Sequence, residues 1–88
     1  MIYDEAMRVF GVPTQITVCV EELSELQKEL CKHLRGSGDI EHIAEEIADV
    51  LITTGQMIRY FDCEEDVLRW QCIKLQRLAE RIKEARQQ

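Results

Sequence analysis

Short interruptions at glycine and aspartate divide this chain into segments that repeat with the period of an α-helix, and that punctuation most constrains how it can fold. Gly11 closes an amphipathic stretch over residues 2–10. Pro13 then suits the first turn of a second helix, where its missing N–H is not needed. The pattern runs unbroken to Arg35, and Gly36-Ser37-Gly38 supplies a helix stop and a turn. Asp39 is placed to cap a third helix reaching Asp62, in which Gly55 costs about 1 kcal/mol relative to alanine. Asp62 and Glu65 have the spacing of a capping box, opening a fourth helix towards Arg86. No run alternates with the two-residue period of a strand. The expectation is an all-α fold of one short helix and three long ones.

The apolar residues predict which faces are buried. Ile16, Val20, Leu23, Leu26, Leu30 and Leu34 form one stripe on the second helix, at steps of three and four. Ile40, Ile43, Ile47, Val50, Leu51, Thr54, Ile58 and Phe61 do so on the third, which also carries Ala48 and Ile52 well away from that stripe. A helix apolar on more than one side needs more neighbours than three companions in one chain readily supply. The chain of 88 residues is read as a single domain over residues 1–88. A domain of this size buries only roughly 60–65% of the surface its unfolded chain exposes. A helical bundle completed by oligomerisation, at least as a homodimer, follows as the expectation.

Charge and cysteine content narrow the function classes. With 17 acidic residues against 11 basic ones the net charge is −6, which repels a phosphate backbone and disfavours duplex nucleic acid as a partner. A small phosphorylated ligand remains compatible, because a divalent cation can bridge carboxylate and phosphate. Cys19, Cys31, Cys63 and Cys72 form no CxxC pair and match no common zinc spacing, so those on helices are expected as buried, reduced thiols. No basic stretch leads into an apolar run at the N-terminus, and no apolar run approaches the ~20 residues of a membrane span. A reducing cytoplasm, without membrane attachment, is the expected setting.

The two central helices carry acids in matching phase. At about 100° per residue, Glu22 and Glu25 lie about 100° and 160° to one side of Leu23, and Glu46 and Asp49 lie at the same angles from Ile47. If the Gly-Ser-Gly connection folds these helices antiparallel, the pairs approach each other across the interface. Converging carboxylates repel unless a cation compensates, and Mg²⁺ prefers oxygen ligands and completes its shell with water and substrate phosphates. A lone acid pair on a helix usually means only a solvated face. Glu29, Glu41, Glu45, Glu64 and Glu65 are read that way, with Glu29 at the solvent rim.

The run Gln15-Ile16-Thr17-Val18-Cys19-Val20-Glu21-Glu22-Leu23-Ser24-Glu25-Leu26, followed by Glu46-Ile47-Ala48-Asp49-Val50-Leu51, resembles the EExxE…ExxD signature of MazG-like all-α nucleoside triphosphate pyrophosphohydrolases. The resemblance spans residues 10 to 82. It implies Mg²⁺-dependent cleavage of a nucleoside triphosphate between the α and β phosphorus, with Mn²⁺ as a possible substitute. Glu22, Glu25, Glu46 and Asp49 match the metal-ligand positions. Glu21 and Glu22 match the paired acids, and Glu21 is placed to orient or deprotonate the attacking water.

Trp70, Lys74, Arg77 and Arg81 form a stripe beside the apolar face of the fourth helix. By resemblance, a basic residue there contacts the triphosphate, and Lys74 matches best, with Arg77 second. The plain alternative is a solvated face pairing with Glu80 and Glu84. His42 has no second Glu-x-x-His partner for a di-iron site. Gln15 and Phe10 are loose candidates for a base pocket. The rival from another class is a non-catalytic helical interaction module with a solvated acidic face, and a further one is a related enzyme with a different substrate.

Overall fold

The computed structural model describes residues 1–88 as four α-helices with no strand. They are α1 (Ile2–Phe10), α2 (Val12–Leu34), α3 (Ile40–Phe61) and α4 (Glu64–Arg86). The all-helical expectation of one short and three long helices holds.

Local chemistry sets most of the boundaries. Gly11 takes φ 90°, a conformation that side-chain-bearing residues rarely adopt, and its N–H donates to the Met7 carbonyl at 3.0 Å. α2 ends as Gly36 and Ser37 donate to the His33 and Lys32 carbonyls at 3.0 and 2.9 Å. Asp39 caps α3 as expected, its Oδ1 accepting from the His42 N–H at 2.8 Å. The proposed capping box at Asp62 is not formed. Asp62 instead terminates α3 in the left-handed region, φ 51°, where Asp62 N–H donates to Arg59 and Cys63 N–H to Ile58. That conformation is incompatible with capping the next helix, so α4 starts from Cys63 without a side-chain cap. Glu64, Glu65 and Asp66 in its first turn, and Lys83 and Arg86 in its last, complement its macrodipole.

α2 and α3 pack along their lengths as an antiparallel pair, and α1 lies against both. Arg59 clasps α1 to α3, donating to both Asp4 carboxylate oxygens at 2.8 Å. Gly55 accepts the Tyr3 ring at a spot where an added Cβ would come within 3.2 Å, which gives this mid-helix glycine a packing reason. α4 meets α3 near their junction, touches neither α1 nor α2, and buries none of its residues.

The result is an extended protomer. Its radius of gyration is 16.5 Å, against about 12 Å for a compact chain of this length. Its accessible surface is 7176 Å², against about 5,400 Å² for a compact monomer of this mass. Cys19 is the single buried apolar residue.

The expected burial pattern is therefore corrected. Leu26, Ile43, Val50, Thr54 and Ile58 are half-buried, but Ile16, Val20, Leu23, Leu30, Leu34, Ile40, Ile47, Leu51 and Phe61 are exposed. The α2–α3 seam is instead lined by Gln15, Cys19, Glu22, Leu26 and Glu29 from α2, facing Glu46, Asp49, Val50, Thr53 and Gln56 from α3. On each helix the centre of this seam lies about a quarter turn from the centre of the apolar stripe. The thiols are corrected too. Cys19 is buried, Cys31 and Cys63 are half-buried and Cys72 is exposed, all four being free. No helix is long and apolar enough to cross a membrane.

Candidate metal centre

Midway along the seam, α2 contributes Glu22 and α3 contributes Glu46 and Asp49. One carboxylate oxygen from each lies within 4.8 Å of the others, and all three residues are half-buried. The antiparallel turn produces this meeting, because the i, i+3 spacing of Glu46 and Asp49 puts both on the turn of α3 that faces Glu22. Both halves of the sequence motif thus reach one point.

The electrostatics are those of crowded anions. The Glu22 carboxyl is pushed above its ordinary range, first by burial, then by the neighbouring Asp49 carboxylate and by the charges of Glu46 and Glu25. Burial also raises Glu46, assisted by Asp49, Glu25, Glu45 and Glu29. Oε2 of Glu46 is buried and has no hydrogen-bond partner. An unpartnered carboxylate oxygen among like charges fits a hard cation, which the half-buried setting leaves open to water and to a phosphate ligand.

The other candidate residues fall into place unequally. Glu25 is exposed and lies outside the triad, although its charge bears on both Glu22 and Glu46. Glu21 is exposed about 100° round the helix from Glu22. His42 sits 3.4 Å from Asp39 at the start of α3, away from the triad. Lys74 and Arg77 are exposed on α4, which does not touch α2, so the protomer does not bring them to the carboxylates. Lys74 lines an open groove along α4 with Val67, Trp70, Leu75, Leu78 and Arg81. Phe10 is exposed at the end of α1, and Gln15 is buried in the seam.

One expectation is overturned outright. Glu29 is not a solvated rim residue but is only 8% exposed, its Oε1 accepting from Lys32 Nζ at 3.2 Å. Gln56 and Thr53, not singled out from the sequence, are also buried, and the Thr53 hydroxyl donates to the Asp49 carbonyl at 2.9 Å. Helical phase carried the signal for Glu29, since it follows Glu22 by seven residues and shares its face. No protein-family model, curated protein or solved structure matches this chain.

Proposed function

We propose that this chain is a Mg²⁺-dependent nucleoside triphosphate pyrophosphohydrolase, cleaving a (deoxy)nucleoside triphosphate between the α and β phosphates to monophosphate and pyrophosphate. The observation that carries this reading is the convergence of Glu22, Glu46 and Asp49 from the two halves of the EExxE…ExxD pattern, with an orphaned carboxylate oxygen among them. These three residues, joined by Glu25 one turn from Glu22, would hold Mg²⁺, or Mn²⁺ in its place. When bound, the cation supplies Lewis acidity towards phosphate oxygens. Glu21 and Glu22 orient a water against the α phosphorus and take its proton. The new bond joins that water's oxygen to the α phosphorus, and the α–β bridging bond breaks, its oxygen leaving with pyrophosphate.

The active form is a homodimer or homotetramer. The protomer's accessible surface exceeds that of a compact chain by about 1,800 Å², which is what each partner gives up in a large obligate interface. The outward stripes of α2 and α3 and the unburied α4 are the apolar surfaces such an assembly would cover. It would also bring Lys74 and Arg77 of one copy towards the triphosphate held by another. Four free thiols accord with a reducing compartment.

The test is product analysis. Purified protein is incubated with each NTP and dNTP in Mg²⁺ or EDTA, and products are resolved by anion exchange. Metal-dependent monophosphate and pyrophosphate are expected. Diphosphate with orthophosphate would mean cleavage at another bond and overturn the reaction. No turnover, with no thermal shift on adding Mg²⁺, would favour a non-catalytic interaction module, a role the exposed apolar faces could serve.

A further inference from the structure

Two apolar surfaces of this protomer complement one another and do not meet within one chain. The first is on α1. The Tyr3 ring rests on Gly55 and Arg59 clasps Asp4, which turns the opposite side of this helix outward. That side carries Ile2, Ala6, Val9 and Phe10, of which Ile2, Val9 and Phe10 are 74%, 70% and 62% exposed. One acid stands among them, Glu5, which is exposed and forms no ion pair.

The second surface is the groove along α4. Val67, Trp70, Leu75 and Leu78 line it, with Lys74 and Arg81 beside them, and neither base forms an ion pair. Asp66, the one acid lining it, is held by Arg69 at 3.2 Å. α4 meets its own protomer only near the α3 junction, so no other helix of the chain covers this groove.

Charge distinguishes among the surfaces that could cover it. Residues 67–86 carry six basic side chains and two acidic ones, against five basic and fifteen acidic over residues 1–66. A second α4 laid along the first sets like charges together, and an anionic lipid surface repels the acidic remainder of the molecule. α1 instead brings an apolar stripe with an acid beside it to an apolar groove with bases beside it. The lengths agree as well. The nine residues of α1 span about 13.5 Å, and the groove from Val67 to Arg81 runs about 21 Å, at about 1.5 Å per residue. An amphipathic helix laid in an apolar groove buries both faces, and the opposed charges set its position along the groove.

We propose that α1 of one copy docks in the α4 groove of a second, with Glu5 against Arg81, and that the second copy returns the same contact. A two-fold axis closes this exchange at two chains, where a one-way contact would run on as a fibre. The proposal rests on the reading of the active form as a homo-oligomer and not on the phosphate chemistry. It adds an interface separate from the outward stripes of α2 and α3, and it leaves Lys74 to the substrate role proposed above.

Charge reversal tests it, read by sedimentation velocity over a concentration series. Glu5→Arg and Arg81→Glu should each move self-association to concentrations higher by about tenfold or more, because two pairs per dimer turn from attraction to repulsion. Mixed in equal amounts, the two variants should associate as wild type does, since every contact in a mixed pair again joins opposite charges. Lys83→Glu changes the net charge as Arg81→Glu does but lies about 160° away round α4, and mixing it with Glu5→Arg should recover nothing. Wild type sedimenting as a monomer at every concentration would overturn the assembly and this docking together. Association that neither reversal weakens, or that mixing fails to recover, would overturn the docking alone and leave the assembly to other surfaces. Tighter association of Arg81→Glu by itself would place α4 against α4 and overturn the docking as well.

Discussion

Leu51→Gln separates a protomer that stands alone from one completed by its copies. Leu51 is 66% exposed on α3, about 140° round the helix from Glu46 and so remote from the carboxylates. On an isolated protomer the change is a surface substitution, worth no more than about 0.5 kcal/mol in either direction. Under a partner subunit the result differs. Full burial of a leucine contributes about 1.5–3 kcal/mol, so covering the exposed two-thirds contributes about 1–2 kcal/mol. In a two-fold dimer the same position is lost on both sides, which makes about 2–4 kcal/mol and weakens Kd by roughly 30- to 1,000-fold. Sedimentation velocity over a concentration series, for wild type and variant with helicity checked in parallel, measures that shift directly. Turnover assayed at the same concentrations should fall with the assembled fraction. Wild type sedimenting as a monomer throughout, or a variant with an unchanged distribution, would refute the argument that these stripes are interface.

Three further predictions concern the site. Glu46→Gln/Asp49→Asn should abolish turnover with helicity intact, raise the melting temperature in EDTA and erase the Mg²⁺-induced shift; full activity would exclude these residues from the chemistry. Glu22 and Glu46 have carboxyls raised by folding, so between the ordinary range near about 4.3 and their raised values the native state binds more protons than the unfolded one. Stability in EDTA should therefore increase as pH falls through those raised values towards the ordinary carboxylate range, and Mg²⁺ should flatten that slope, as thermal melts across pH will show. The lowered Asp4 carboxyl, held down by its hydrogen bonds to Arg59, acts the opposite way, its contribution being lost only below the ordinary aspartate range. Lys74→Ala should raise KM for triphosphate by about tenfold or more through loss of a charged hydrogen bond. An unchanged KM in steady-state assays would remove Lys74 from the substrate site.

Features governed by neighbouring residues were legible in the sequence. Asp39 announces α3 because its side chain bonds within its own turn, and Gly11 and the Gly36–Gly38 turn mark stops that depend on backbone freedom. Asp62 misleads because one residue can serve two adjacent helices, and ending α3 in the left-handed region excludes capping α4. The convergence of Glu22 with Glu46 and Asp49 was legible because acid spacing and turn length act together. The face that α2 turns to α3 was not. Periodicity shows that an apolar stripe must be covered, without saying whether the cover comes from this chain or another, and the apolar stripe centred on Leu23 drew attention from the face that holds Glu22 and Glu29.

That displacement of faces has an energetic consequence. A chain that turns carboxylates and amides inward and leucine and isoleucine outward reverses the usual source of stability in a soluble domain. Burial of Glu29, and the half-burial of Glu22, Glu46 and Asp49, opposes folding of the protomer while no cation is present. The outward stripes stabilise nothing until another surface covers them. On the proposed reading each deficit would be removed by a different partner, the first by a divalent cation and the second by a copy of the chain. Stability, metal occupancy and assembly should therefore be linked, since a ligand that binds the folded state favours whatever else requires it. The seam is where the two meet, because α2 and α3 present the carboxylates on one side and the uncovered stripe about a quarter turn away. Closing an interface over that stripe fixes the separation of the same two helices, and with it the separation of Glu22 from Glu46 and Asp49. On that reading an assembled protomer would hold its triad ready for the cation, whereas an isolated one would hold it against the repulsion of its own charges.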